Sequence, residues 1–221
     1  MRYDTVPTPL SKRFRDILNR GVNATLRARG FRKTRCVFRA KCHHVSWLVN
    51  AQRSRWNNAK HLEFTLNCGI YIPGVVSRYN STHEPIEPNL KDCCLSARVG
   101  LLGESRLDKW WLLTLSDSEQ EADETIISEL NGYLEHAILP FLTGFRSEVD
   151  VTEFLTAPST AANRLISPQG MAQRHAYASL IYARLEDKVK AHEEIERAAE
   201  EANGTPIAPI IQSLRRSLLA K

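Results

Sequence analysis

Two stretches of the chain set amide and hydroxyl side chains at every second position. In 45–54, Val45, Trp47, Val49 and Ala51 alternate with Ser46, Leu48, Asn50 and Gln52, so that Asn50, Gln52 and Ser54 share the side away from the apolar residues. In 62–72, Leu62, Phe64, Leu66, Cys68, Ile70 and Ile72 alternate with Glu63, Thr65, Asn67, Gly69 and Tyr71. Asn57-Asn58 between them reads as a turn. Paired through it, the two strands place Asn50, Gln52, Ser54, Thr65, Asn67 and Tyr71 on one sheet face, with Arg98 at its edge. Each amide supplies donors and an acceptor, so such a face can read a peptide, a base edge or a sugar. The competing reading is an ordinary solvated face of an antiparallel sheet. A buried Asn or Gln needs its hydrogen bonds met by water, a ligand or a covering segment. The stretch 73–92, an irregular loop with Pro73, Gly74, Pro85 and Pro88, is the internal candidate for that cover.

A second set of residues carries charge. Residues 1–60 hold fifteen Lys/Arg against two Asp/Glu, while 116–157 hold one against ten. Two such blocks either face each other in the fold or leave the basic one for an anionic partner. Arg13, Arg20 and Arg27 recur at steps of seven and would line one helical stripe, the arrangement that phosphate binding asks for. Cys36, Cys42, His43 and His44 resemble a zinc set only superficially. There is no second Cys-x-x-Cys pair and no helical His spacing, so no metal is expected. No Gly-x-Ser-x-Gly, His-Glu-x-x-His or phosphate-loop pattern occurs, and the residues name neither a reaction nor a cofactor.

The elements that position these groups follow from periodicity. Residues 9–29 form an amphipathic helix on Leu10, Phe14, Ile17, Leu18, Val22 and Leu26, with Pro7 and Pro9 at its start and Gly30 at its end. A short strand is expected at 35–39, and strand-like stretches lie at 95–101 and 109–115, the first also compatible with a short helix. Trp47 is expected in the core. Trp56 and one of the neighbours Trp110 and Trp111 are candidates for exposure, since neighbours in a strand face opposite ways.

The second half is helical. Ser116-Asp117-Ser118-Glu119 has the form of a capping box. Ile126, Leu130, Leu134 and Ile138 form a buried stripe, which Pro140 should kink or end. Asp150 would cap a short helix to Leu155, and 156–163 is the linker candidate. Ser167-Pro168 reads as an N-cap followed by proline at the first helical position. Helices are expected to about Arg184, over 188–202 and over about 207–219. Residues 176–191 resemble one tetratricopeptide unit, and a lone unit must pack its face on something else.

Composition limits the class. Of 221 residues, 43% are hydrophobic and 25% charged, with a net charge of +5, which suits a packed core rather than a disordered chain. No apolar run approaches the ~20 residues that a membrane span needs. The segment 1–7 lacks the apolar core of a signal peptide, so a cytoplasmic location is expected. The five cysteines, Cys36, Cys42, Cys68, Cys93 and Cys94, are then expected as free thiols.

Several separated motifs occur in a recognisable order: Gly30-Phe31-Arg32-Lys33, Val49-Asn50-Ala51-Gln52-Arg53-Ser54, Phe64-Thr65-Leu66-Asn67-Cys68-Gly69-Ile70-Tyr71, Arg98-Val99-Gly100-Leu101 and Asp108-Lys109-Trp110-Trp111. Over about residues 8–145 the chain resembles the bacterial family catalogued as domain of unknown function 4304. The resemblance implies a bacterial, cytoplasmic protein and no particular reaction.

The resulting expectation is an α+β fold: an N-terminal helix, a mostly antiparallel sheet of about five strands with helices on one face, and a C-terminal helical hairpin. The division expected is an α+β domain over 1–155 and a helical extension over 164–221. Function is expected in non-catalytic binding of a protein partner. Nucleic-acid binding through the basic third is the alternative, and an enzyme of unknown reaction comes third. No membrane partner is expected.

Overall fold

The computed structural model describes residues 8–115, 119–161 and 163–219. It is an α+β protein with an antiparallel sheet. The strands are β1 (Arg32–Thr34), β2 (Val37–Cys42), β3 (Val45–Arg53), β4 (His61–Tyr71), β5 (Leu95–Arg98) and β6 (Trp111–Thr114). Their order is β1-β2-β3-β4-β5, and β6 also pairs with β4. The expected pairing of 45–54 with 62–72 is present: β3 and β4 are neighbours, and Ser54 N donates to Glu63 O at 2.9 Å.

The helices are α1 (Pro9–Ile17), α2 (Ala24–Arg27), α3 (Val75–Tyr79), α4 (Val99–Leu102), α5 (Glu119–Tyr133), α6 (Leu139–Thr143), α7 (Glu148–Thr156), α8 (Met171–Arg184), α9 (Lys188–Ala202) and α10 (Ala208–Leu219). The chain divides into two compact units, each assembled from separate stretches. The first comprises Met1–Ala40, Val49–Asn67 and Arg98–Phe141. The second comprises Lys41–Leu48, Cys68–Ala97 and Leu142–Lys221.

The first unit is built on an aromatic chain. Thr8 caps α1, its hydroxyl accepting from Ser11 N at 3.2 Å. Leu10, Phe14 and Ile17 of α1 are buried. Phe14 meets Phe64 edge-on at 5.0 Å, Phe64 stacks on Trp111 at 5.5 Å, and Trp111 meets Tyr133 of α5 edge-on at 5.7 Å. Trp111 also donates its indole N–H to Glu129 at 2.9 Å. The expected helix over 9–29 is interrupted: a π turn at Leu18–Asn23 joins α1 to α2. Gly30, at φ +83°, follows α2 in the left-handed conformation.

A second π turn, Leu134–Ile138, precedes Pro140, and the helical run continues through α6 to Thr143. Pro140 therefore does not end the helix. The chain has already left α spacing there, so the missing proline N–H breaks no regular α hydrogen bond. The short strand expected at 35–39 is instead a hairpin. Arg35, at φ +57°, turns the chain between β1 and β2.

The second unit carries the C-terminal helices. Ser147 and Asp150 form a reciprocal capping box on α7, so Asp150 sits in the first turn while Ser147 is the cap. Ser167-Pro168 does not start a helix. Ser167 forms an antiparallel bridge with Ser96, and α8 begins at Met171 behind Gly170. The segment 73–92 is less irregular than expected, containing α3 and a 3-10 turn at Leu90–Asp92. The tetratricopeptide-like stretch is the α8–α9 hairpin, packed by α3, α7 and α10. Of the capping box expected at 116–119, residues 116–118 lie outside the described residues, as does Pro7, and α5 starts at Glu119.

Gly100 sets the tightest local constraint in the first unit. A Cβ there would overlap the carbonyl oxygen of Leu107 and approach Lys109 N within 2.5 Å, and both are backbone atoms that cannot swing away. Gly100→Ala should destabilise the protein by about 3 kcal/mol, measured as a shift of the urea midpoint.

Candidate functional site

The sheet of the first unit has two unlike sides. Phe64 and Trp111 belong to the side packed on Phe14 and Tyr133. The register pairs Glu63 with Leu112 and Phe64 with Trp111, so Leu112, Glu63, Thr65 and Asn67 point the other way. On that side Leu112 is 51% exposed and Gln52 is exposed.

The sequence-derived site residues are only partly brought together. Asn67, 4% exposed, donates from Nδ2 to Gln52 Oε1 at 2.9 Å. Thr65 is fully buried, and its hydroxyl donates to Lys109 O at 2.7 Å. Asn50 is half-buried and reaches Cys36 O at 3.5 Å, while Ser54 Oγ accepts from Trp56 N at 3.2 Å. Thr65 and Asn67 are therefore not open to a partner. Burial obliges each polar group to find a bond inside the protein, and each has done so.

Tyr71 belongs to the second unit and is also buried. Its hydroxyl bonds to Glu84, whose carboxylate also accepts from Ser77 Oγ and from Gly74 N at 3.0 Å. This latch ties the 73–92 segment back onto the end of β4 and the start of α3. Burial works to raise the Glu84 pKa, but the bonds from Ser77, Tyr71 and Gly74, with Arg184 nearby, outweigh it and hold the carboxyl below its ordinary 4.5. Burial, followed by the bond to Glu84, pushes the Tyr71 phenol well above its usual range.

Arg98 marks a cluster that alternation alone does not reveal. Its guanidinium donates to Asp108 Oδ2 at 2.6 Å, and Trp110 Nε1 donates to the same oxygen at 2.9 Å. Arg98 also lies over the Trp110 ring, 5.2 Å from its centre. Trp110 is half-buried, whereas Trp111 is 2% exposed, which resolves the adjacent pair. Leu107, 70% exposed, lies just upstream in the chain. Leu107 and Leu112 were missed because a single exposed leucine carries no sequence signal. Asp108 is visible only as the acid two residues before a tryptophan. Trp56 is 71% exposed, as anticipated, while Trp47 is half-buried with its N–H on Phe145 O at 2.7 Å.

The basic stripe is largely engaged. Arg13 binds Asp123 at 2.6 Å and the carbonyl of Thr114 at 2.6 Å, and Arg20 pairs with Glu124. Arg27 is exposed. The two charge blocks meet at these two positions, where α5 supplies the acids. Among the described residues no group of three or more His, Cys, Asp or Glu is arranged to hold a metal ion, and no helix is long and apolar enough to cross a membrane.

The chain belongs to the family described as domain of unknown function (DUF4304), whose profile matches residues 22–144. Neither a search of curated proteins nor one of solved structures finds a match.

Asn67→Ala should cost about 1–2 kcal/mol because it removes a buried side chain and its bond to Gln52, while Gln52→Ala, at an exposed position but leaving the buried Asn67 amide unpaired, should cost about 1 kcal/mol. A double-mutant cycle by urea denaturation should give a coupling of about 0.5 kcal/mol or more between them. The Glu84 latch has a defined pH signature. Its folded pKa is depressed, so its stabilisation is complete above the ordinary value of 4.5 and is lost as pH falls through the folded value. Glu84→Gln should lower the melting temperature at pH 7, and the gap to wild type should close on acidification below pH 4.5.

Proposed function

We propose that this chain is a non-catalytic protein-binding module, and that its partner docks on the sheet side bearing Leu112, Trp110 and Gln52. The observation that carries this reading is the exposure of Leu112 (51%) and Leu107 (70%) beside the fixed Arg98–Asp108–Trp110 cluster. Exposed apolar groups rimmed by satisfied polar ones are the composition of a recognition surface. Tryptophan and arginine are the residues that most often dominate binding energy there. The cluster is already ordered by its own hydrogen bonds, so binding would cost little side-chain entropy. A bacterial, cytoplasmic setting belongs to the same proposal; five free cysteines support the reducing compartment.

Nucleic-acid binding is the second reading, and one observation favours it. Arg32 stands directly opposite Arg39 across β1 and β2, with the exposed Arg35 at the turn between them. Exposed basic side chains gathered on one hairpin are the kind of surface that a phosphate backbone meets.

One experiment separates the two. Tagged wild type, Leu112→Glu and Leu107→Glu are used to capture partners from native lysate, with and without nuclease. Protein capture should survive nuclease and fall by about tenfold or more in Leu112→Glu. Both variants should keep their stability within about 0.5 kcal/mol. Capture that disappears with nuclease, together with salt-sensitive binding of duplex or single-stranded probes by wild type, would transfer the function to the basic hairpin. Capture unaffected by either leucine variant would remove the sheet face from consideration.

A further inference from the structure

The second unit contains a groove between the end of α3 and one side of α10, with a volume of about 430 Å³. That size suits a small organic molecule. One wall is apolar, formed by Ile210 and Leu214 of α10. The opposite wall carries Arg78, Tyr79 and Ser81, and Ser213 faces it from α10.

Three features of this groove bear on what it could hold. Tyr79 is 5% exposed and packs edge-on against Tyr177 at 5.1 Å, yet its hydroxyl has no hydrogen-bond partner among the described residues. The ring is buried while the hydroxyl reaches the groove, where it is open to a hydrogen bond from a bound molecule. Arg78 makes no ion pair or hydrogen bond among the described residues either. Its pKa is lowered, first by partial burial and then by the nearby positive charge of Arg184. Arg184 is paired with Glu148 at 2.9 Å and also lies near Glu84, whereas the exposed Arg78 has no acid bonded to it among the described residues. Finally, Ser81 is held at φ +53°, an uncommon conformation for a residue with a side chain, and such backbone is often found where a ligand is held.

The last turn of α3 does not oppose an anion strongly. Asn80 N closes on Val76 O at 2.9 Å and Ser81 N on Arg78 O at 3.2 Å, so those carbonyls are already satisfied. Ser217, on the same side of α10, spends its hydroxyl on Leu214 O at 2.8 Å, which leaves Ser213 as the serine of that helix free to face the groove.

We propose that this groove binds a small organic anion, its charged group held by Arg78 and the Tyr79 hydroxyl and its apolar body lying on Ile210 and Leu214. A carboxylate and a phosphate ester share this chemistry. The site is independent of the protein-docking face, which lies in the first unit.

The test is calorimetric titration of the purified full chain with benzoate, with phenyl phosphate and with benzyl alcohol as the uncharged counterpart. At least one anion should bind with a stoichiometry of one, about tenfold or more tighter than the alcohol, since a hydrogen bond to a charged group is lost in the latter. Phenyl phosphate binding alone would assign a phosphate ester, and benzoate binding alone a carboxylate. Arg78→Gln should weaken the anion by about tenfold and Tyr79→Phe by about threefold. Both are conservative in bulk, and their melting temperatures check that the fold is retained. No binding of either anion at about 10 mM overturns the proposal. So does an alcohol that binds as well as the anions, or an anion whose affinity is unchanged in folded Arg78→Gln.

Discussion

The fold hangs on one strand that has no free side. β4 is buried at nine of its eleven positions, with only His61 and Glu63 half-exposed. It pairs with β3 along one edge and with β5 and β6 along the other. A strand in this position cannot leave a polar side chain without a partner, because water does not reach it. Thr65, Asn67 and Tyr71 all sit on β4, and each is bound: to the Lys109 carbonyl, to Gln52 and to Glu84. The same demand fixes the segment after α4. Thr65 needs the Lys109 carbonyl, Lys109 Nζ binds Glu129 of α5 at 2.6 Å, and Gly100 must lack a side chain for the backbone to come close enough. The bond from Lys109, aided by Trp111, holds the Glu129 carboxyl below its ordinary value.

Charge is handled by the same economy. The Arg13–Asp123 pair is nearly buried, with side-chain exposures of 9% and 12%. Removing one partner of such a pair would leave the other stranded in a poorly solvated place, which costs far more than breaking a surface pair. Arg20 and Glu124, about half-exposed, contribute little by comparison. Beyond α1 on the first unit, Arg27, Arg29, Arg32 and Arg35 are exposed.

Alternation made β3 and β4 readable, because a period of two over nine to eleven residues has few alternatives. It misled about exposure. Alternation assigns sides, and it does not say which sides are covered, so Thr65, Asn67 and Tyr71 were expected outward and are buried. Seven-residue spacing correctly aligned Arg13 and Arg20 on one helix side, but nothing local to that helix says that Asp123 and Glu124 come to meet them. The same limit applies to Pro140 and Ser167-Pro168. Both obey good local rules, but the helical run continues past Pro140 after a π turn, which excludes only its ending there, and Ser167-Pro168 is overruled by a bridge to Ser96. The Arg98–Asp108–Trp110 cluster joins residues ten apart through a side-chain geometry that no periodicity encodes.

Neither compact unit is a continuous piece of chain: the first takes in residues on both sides of 68–97, and the second begins at Lys41 and runs to Lys221. Order of synthesis therefore matters. The strand ends Lys41–Leu48 and Cys68–Ala97 emerge from the ribosome long before Leu142–Lys221, the remainder of their unit, exists. At ordinary translation rates of about 5–20 residues per second, that interval lasts several seconds. During it, apolar residues such as Cys68, Ile70 and Leu95, buried in the finished fold, belong to a unit whose remainder has not been made. A nascent chain of this design has reason to depend on holding chaperones until its last helices are made.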